Sequence, residues 1–175
     1  MAEIFLCSDH HFAHRNIWTF TDEVGVPIRS PYTYEEGEPM MVERWNSVVR
    51  PNDHVWHLGD FTIGSKKGME FGRRLNGHKR IVLGNHDLLD PRVWRDSGFE
   101  KVCGPHKLDT LWLTHAPTHP AHIPKWADGN CHGHLHQNPS PPGPYFNVSV
   151  ERISFTPVTL GEVKERLRAL REVQP

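Results

Sequence analysis

The sequence of 175 residues has few cysteines, almost no net charge and no long apolar run. Three cysteines, at positions 7, 103 and 131, are too few and too scattered for a disulfide framework. The 20 basic and 21 acidic residues give a net charge of −1, which argues against a surface built throughout to bind nucleic acid or an anionic membrane.

No apolar run approaches the length that spans a bilayer, and the first residues do not resemble a secretory signal. We therefore expect a cytoplasmic chain that forms a single domain over residues 1–175. The sequence gives no sign of a membrane contact or of an obligate protein partner.

Histidine, by contrast, is abundant, with 14 copies in the chain. The segment from Cys131 to His136, CHGHLH, holds three of them within six residues. Neighbouring imidazoles repel each other when both are protonated, so such a cluster needs an explanation. A metal site, a pH-sensitive surface and a chance cluster are the three alternatives.

Four short apolar runs predict buried strands, at residues 3–7, 54–58, 80–83 and 110–114. Each run is followed directly by polar residues, in the order SDHH, GD, GNHD and HAP. In α/β proteins, binding sites form outside the carboxyl ends of the strands. The sequence therefore predicts a site where these four segments meet.

Helices are predicted between and after these strands. The periodicity of apolar residues indicates helices over 35–49 and 66–75. A third helix is predicted in the tail, where Thr159 and Glu162 have the spacing of a capping box. Residues 145–160 indicate one or two late strands.

Seven candidate metal ligands follow the predicted strands or lie in the histidine cluster. They are Asp9, His11, Asp60, Asn85, His115, His134 and His136. In an extended backbone, alternate residues project to the same side, so the pairs spaced by two are expected to aim at one centre. Gly59, Gly84 and Gly133 precede ligands, where a tight turn lets the backbone approach.

Seven ligands are too many for one ion and suit two ions, with Asp60 as the natural bridging carboxylate. Imidazole and oxygen ligands without thiolate favour Mn, Fe, Zn, Co or Ni over a structural zinc site. We expect two divalent transition-metal ions, with manganese the leading candidate. Two such ions about 3.5–4 Å apart can clamp the attacking and leaving oxygens of an in-line displacement.

These residues form a recognisable ordered set. The blocks are Asp9-x-His11, Gly59-Asp60, Gly84-Asn85-His86-Asp87, His115 and Gly133-His134-x-His136. Their order and residue types resemble the five motifs of the calcineurin-like metallophosphoesterases, most closely the small uncapped bacterial and phage members. Any one block is weak evidence, whereas the ordered set over residues 9–136 is specific.

The resemblance implies an α/β fold in which two mixed β-sheets pack as a sandwich flanked by helices, the four-layer arrangement of that family. It also implies a binuclear centre between the strand ends. One ion would be held by Asp9, His11, Asp60 and His136, and the other by Asp60, Asn85, His115 and His134.

The implied activity is that of a metal-dependent phosphoric ester hydrolase, in which a hydroxide between the two ions attacks phosphorus in line. The resemblance places His86 at the site without making it a ligand, and His86 is expected to protonate the leaving oxygen. Asp87 is expected to orient the His86 imidazole. Both residues are therefore catalytic candidates.

The substrate is left open among several phosphate esters. A phosphodiesterase that acts on nucleotide or oligonucleotide substrates is favoured, with a phosphomonoesterase or a nuclease as alternatives. A non-catalytic scaffold of the same fold is disfavoured because every ligand is present, and a histidine-based metal store or pH sensor would hydrolyse nothing. Candidate substrate contacts are His14, Asn16, Arg29 and His119.

Three further histidines have no assigned catalytic role. His10 is expected to point away from the ligands, as a surface residue or as one that supports them. His57 is interpreted as a packed strand residue or a support for the site, and no role is predicted for His132. Cys7 and Cys131 are expected to be small buried residues.

Overall fold

Two β-sheets organise the chain. The computed structural model describes residues 2–172, with side chains through residue 170. Its strands are β1 Ile4–Cys7, β2 His54–His57, β3 His78–Val82, β4 Phe99–Cys103, β5 His106–Leu108, β6 Leu111–Leu113, β7 Gly129–His132, β8 Tyr145–Asn147 and β9 Val158–Thr159. The large sheet has the order β4-β3-β2-β1-β9 and the small sheet the order β5-β6-β7-β8.

Both sheets are mixed. Strands β1 to β4 run parallel, and β9 pairs antiparallel with β1. In the small sheet β5 is antiparallel to β6, whereas β6, β7 and β8 are parallel. The four predicted strands therefore exist, as β1, β2, β3 and β6, and the late segment forms β8 and β9.

The helices are α1 Tyr34–Val48, α2 Lys66–Met69, α3 Pro91–Asp96 and α4 Leu160–Glu172. A capping box of Thr33 and Glu36 starts α1, which confirms the predicted helix within one residue. The helix predicted over 66–75 is instead α2 followed by a 3-10 turn, Glu70–Arg74. Thr159 and Glu162 form the predicted capping box before the main body of α4.

Strand alternation divides the buried side chains between two cores. Phe5 and Cys7 belong to the core between the large sheet and α1 to α3, whereas Leu6 belongs to the core between the two sheets. The same division separates Val55 from Trp56. Leu111 and Leu113 supply the small-sheet side of the second core.

Helix α4 adds Val163 and Leu167 to the core between the sheets. The α/β sandwich of two mixed sheets with flanking helices is confirmed, and Cys7 and Cys131 are buried as expected. Among the described helices, none combines the length and the apolar character needed to cross a membrane.

Candidate metal centre

The polar residues that follow five strands converge at one edge of the sandwich. They are Asp9 and His11 after β1, Asp60 after β2, Asn85 and His86 after β3, His115 after β6, and His134 and His136 after β7. The strand ends of the two sheets are joined there, because Ser8 N donates to Val148 O at 2.9 Å and Val148 N donates to His132 O at 2.8 Å. Residues from both sheets can therefore share one site.

Five of the predicted ligands have a left-handed backbone conformation, which residues other than glycine rarely adopt. Their φ angles are 59° at Asp9, 50° at His11, 56° at Asp60, 70° at His134 and 50° at His136. We expected strand alternation to point Asp9 and His11, and likewise His134 and His136, at one centre. This expectation was wrong, because all four residues lie in turns beyond the ends of β1 and β7. Such conformations cost about 1–3 kcal/mol each and persist only where the surrounding fold imposes them.

Three glycines let the ligand loops approach each other. A Cβ at Gly59, whose φ is +98°, would lie 2.5 Å from His115 Nδ1. A Cβ at Gly84 would collide with Asp60, and one at Gly133 would collide with Asp9. The predicted close approach at these glycines is present, and an alanine at each of them would displace a donor side chain.

Asp9, His11 and His136 form what we call the first donor group. One ligand atom from each lies within 4.8 Å of the others. The rings of His11 and His136 stack at a centroid distance of 5.1 Å. Asp9 Oδ1 and both ring nitrogens of His11 are buried and have no hydrogen-bond partner among the described residues. Buried polar atoms of this kind are costly unless a ligand satisfies them.

Asp60, His115 and His134 form the second donor group, again within 4.8 Å. His115 Nδ1 lies 2.8 Å from Leu58 O, so this nitrogen carries the hydrogen and donates to the carbonyl. His115 Nε2 then presents a lone pair, 3.0 Å from Asn85 Oδ1 and 3.1 Å from His134 Nδ1. All four donor atoms of the predicted second set are thus brought together.

Asp60 lies between the two donor groups. Its Oδ2 is 3.6 Å from His11 Nε2 and 3.3 Å from His115 Nε2. Burial raises the pKa of Asp60, but hydrogen bonds and charge from His115 and the His86 backbone N–H outweigh it and lower the pKa to about 2. The carboxylate is ionised and faces both groups, as its predicted bridging position requires.

The chemistry of these donors fits divalent cations. Burial lowers the pKa of His115, yet the hydrogen bond and charge of Asp60 and the charge of Asp9 raise it to about 9, because two carboxylates lie beside the ring. Carboxylate, amide and imidazole donors without thiolate suit transition metals. The His and Asp clusters are therefore suited to bind divalent metal ions.

His86 lies at the mouth of the site. Its Nε2 is 4.0 Å from Asp60 Oδ2, and its side chain is 43% exposed. Its ring centroid is 5.5 Å from that of His11. The imidazole is therefore near both donor groups and open to solvent.

Asp87 does not have the expected contact with the His86 ring. Its two carboxylate oxygens instead accept hydrogen bonds from the backbone N–H groups of Asp60 at 2.6 Å, Gly84 at 2.9 Å and Phe61 at 3.1 Å. The residue is 4% exposed. Asp87 therefore ties the loop after β2 to the loop after β3, and its catalytic role stays a prediction.

Arg29, a predicted substrate contact, is fully buried. Its guanidinium donates to Glu151 Oε1 at 2.9 Å, to His10 O at 2.9 Å and to Asp9 O at 2.7 Å. The interpretation of Arg29 as a substrate contact is wrong, because its charge is used inside the protein.

The other predicted substrate contacts differ in position. His14 is half-buried, with its ring centroid 6.0 Å from that of His11. Asn16 is exposed at the start of the 3-10 turn Arg15–Trp18. His119 is exposed and caps a separate 3-10 turn, Pro120–His122. His14 lies beside the donor groups, and the roles of Asn16 and His119 stay predictions.

Sequence reasoning missed two supports of the site. Glu151 Oε1 lies 3.2 Å from His136 Nδ1, and the Glu151 side chain is buried. Ser149 Oγ donates to Asp9 Oδ2 at 2.9 Å. The available signal was the segment FNVSV, residues 146–150, in which apolar and polar residues alternate. Glu151 follows it directly, as predicted ligands follow the earlier strands.

The three unassigned histidines are all buried. His10 Nδ1 lies 2.9 Å from His57 Nε2, so the prediction of a surface position for His10 was wrong and the packed position of His57 is correct. His132 donates to Gly133 O and accepts from Ser140 Oγ, at 2.8 and 2.9 Å. These rings are neutral hydrogen-bonding residues of the interior, because burial lowers the pKa of each.

The fold and the site together describe an α/β sandwich with two adjoining His/Asp clusters at its strand ends. No family model matches the sequence. The Uncharacterized protein MJ1445 of Methanocaldococcus jannaschii is 31% identical over 172 residues, which cover 91% of this chain and 88% of that protein. The chain belongs to the family of this archaeal protein.

The chain is similar to several solved structures. The protein of unknown function AQ665 from Aquifex aeolicus superposes with a TM-score of 0.70 and 23% identity over 95% of this chain and all of that one. The nuclease MPE of Pseudomonas putida and an archaeal phosphodiesterase superpose with TM-scores of 0.48 and 0.49, each at 19% identity, over 76% and 84% of this chain. The last two are too distant to indicate an activity.

Proposed function

We propose that this chain is a calcineurin-like, metal-dependent phosphoester hydrolase, and specifically a phosphodiesterase for nucleotide-type substrates. The observation that carries the proposal is the position of Asp60, whose Oδ2 lies between His11 Nε2 and His115 Nε2. A carboxylate between two imidazole groups suits two divalent ions held close together. The five motifs in their family order support the same class.

The residues that would hold the ions are those of the two donor groups, completed by Asn85 and shared through Asp60. Donors that are nitrogen and oxygen only suit Mn, Fe, Zn, Ni or Co, and we take manganese as the leading candidate. When bound, two such ions lower the pKa of water towards neutrality and neutralise charge on the phosphoryl oxygens.

The chain's own residues have separate tasks in this reaction. His86 holds a proton at Nε2 near the mouth of the site and delivers it to the leaving oxygen. Asp60 Oδ1 accepts from the His86 backbone N–H at 2.9 Å, which fixes the loop that carries the imidazole. Asp87 holds the same loop through its backbone contacts.

The openness of the site supports a diester substrate. Asn85 and His134 are exposed, so a phosphate within a longer molecule can reach the second donor group. The ring of Phe20 is half exposed and lies 5.9 Å from the His14 ring, which in turn neighbours His11. An exposed aromatic ring beside the centre suits a nucleobase, since every base has a face that can stack.

The test is a hydrolysis profile of the chelator-treated protein with Mn, Ni, Co, Zn and Mg. The substrates are bis(4-nitrophenyl) phosphate, 4-nitrophenyl phosphate, cyclic nucleotides and DNA. We expect manganese-dependent turnover of the diesters in preference to the monoester. A monoester preference would overturn the diesterase assignment alone, and no turnover with any metal would overturn the hydrolase assignment.

A further inference from the structure

A buried ion pair lies behind the first donor group. Arg29 Nε donates to Glu151 Oε1 at 2.9 Å, and the two side chains are 0% and 1% exposed. Withdrawing two charges from water is costly, and buried pairs can often be replaced by apolar residues without loss of stability. Stability alone therefore does not explain why Arg29 and Glu151 are placed here.

Glu151 acts on the imidazole of His136. The same oxygen, Glu151 Oε1, lies 3.2 Å from His136 Nδ1. Because an ionised carboxylate can only accept, the hydrogen of this bond is on Nδ1. The opposite nitrogen, Nε2, then keeps its lone pair for a cation, and the ring cannot turn without losing the bond.

Arg29 acts on the backbone that presents Asp9. Its Nη2 donates to Asp9 O at 2.7 Å and its Nη1 donates to His10 O at 2.9 Å. Asp9 has the left-handed φ of 59°, so these bonds hold a conformation that the chain would otherwise leave. One ion pair thus fixes two of the three members of the first donor group.

The second donor group is held by different contacts. His115 Nδ1 donates to the backbone oxygen of Leu58, and the backbone N–H of Asp60 donates to Asp87. The hydrogen bonds of Arg29 and Glu151 join the two side chains to each other, to His136 and to the backbone oxygens of Asp9 and His10. The two groups therefore have different supporting side chains, and they meet at Asp60 and at the hydrogen bond from His134 N to Asp9 Oδ2.

We propose that Arg29 and Glu151 are positioning residues for the cation of the first donor group, and that the affinity of this cation depends on the pair while the affinity of the second does not. The inference rests on the proposed function in that both donor groups must bind cations. It adds two residues that touch neither metal nor substrate.

The test is calorimetric titration of the metal-free protein with Mn²⁺, with the bound metal counted by mass spectrometry. The variant is the double substitution Arg29→Gln with Glu151→Gln, which avoids leaving one charge buried alone. We expect two sites in the unsubstituted protein. In the variant, one site should be weakened by about 10- to 100-fold and the other unchanged.

The matched control is the exposed pair of Arg15 and Glu35, which has the same residue types and an N–O distance of 2.8 Å. Its double substitution to glutamine should leave both affinities unchanged. If the double variant at 29 and 151 does not fold, judged by circular dichroism with chelator present, Glu151→Asp carries the test. That shorter carboxylate withdraws from His136 and should again weaken one site.

Three results would contradict the proposal. Two unchanged affinities in the folded variant would overturn the positioning role and leave the hydrolase assignment intact. Equal weakening of both sites would show that the pair supports the fold in general and not one donor group. An unsubstituted protein that binds no Mn²⁺ would overturn the metal centre, and the positioning role with it.

Discussion

The two donor groups differ in their access to solvent. In the first group Asp9 is fully buried and His11 is 3% exposed. In the second group His134 is exposed, as is its neighbour Asn85. Asp60 and His115 of the second group are buried as well, so the second group opens to the surface only at His134 and the neighbouring Asn85. A substrate phosphate is therefore expected to enter on the side of His134 and Asn85.

The largest loss of activity is expected from substitution of Asp60, which lies between the two donor groups. Asp60→Ala removes the carboxylate that both groups share and should lower phosphoesterase activity by roughly 10³-fold or more. Steady-state hydrolysis of bis(4-nitrophenyl) phosphate with Mn²⁺ measures it. The exposed Asp96→Ala is the control and should retain activity. Full activity in Asp60→Ala would contradict the proposal of a two-ion centre.

An intermediate loss of activity is expected from substitution of His86, which lies near both donor groups. His86→Ala should lower kcat by about 10²–10⁴-fold with both cations retained, because the imidazole supplies a proton and no ligand. The defect should be smaller for nitrophenyl esters, whose leaving groups need less protonation. Metal analysis of the purified variant is the check, and loss of a cation would make His86 a ligand.

A loss of cation binding at one donor group alone is expected when a methyl group is added at Gly59. Gly59→Ala places a Cβ against His115 and should weaken the cation of the second donor group while the first retains its own. Counting bound Mn²⁺ distinguishes this from the loss of both ions, which would show that the donor groups are not independent.

The control for Gly59→Ala is Gly64→Ala, the smallest expected effect. Gly64 also has a positive φ, of +61°, but a Cβ there would meet open space. The substitution should cost about 1–2 kcal/mol of the free energy of unfolding, since the left-handed conformation disfavours a side chain. Urea unfolding measures this cost, and hydrolysis should be unaffected.

The sequence predicts the strands that are apolar and misses those that are not. Strands β1 and β6 are apolar throughout, and β2 and β3 each contain an apolar pair, Val55 with Trp56 and Ile81 with Val82. Strand β7, Gly129–His132, is fully buried yet contains Asn130 and His132. The partners of the Asn130 side chain include the backbone of Trp112 and of Thr118 and the hydroxyl of Thr114, all at least 12 positions away. Such tertiary hydrogen bonds leave no periodic signal in the sequence.

The sequence predicts which residues belong to the candidate site but not their backbone conformations. Polar residues after parallel strands meet at one edge by topology, so the seven donors could be named. Their left-handed turns could not, because the conformation at Asp9 depends on bonds from Arg29, 20 positions away. Asp87 shows the same limit, since its backbone partners are set by how two loops pack.

The hydrogen bond from His134 N to Asp9 Oδ2, 2.9 Å long, spans 125 positions of the chain. Contacts between such distant segments must close a long loop, and contacts of this kind slow folding more than local ones do. The large sheet can assemble from β1 to β4, whereas the first donor group needs His136, which arrives only with the small sheet. A chain in which the small sheet has not yet formed therefore has an incomplete first donor group.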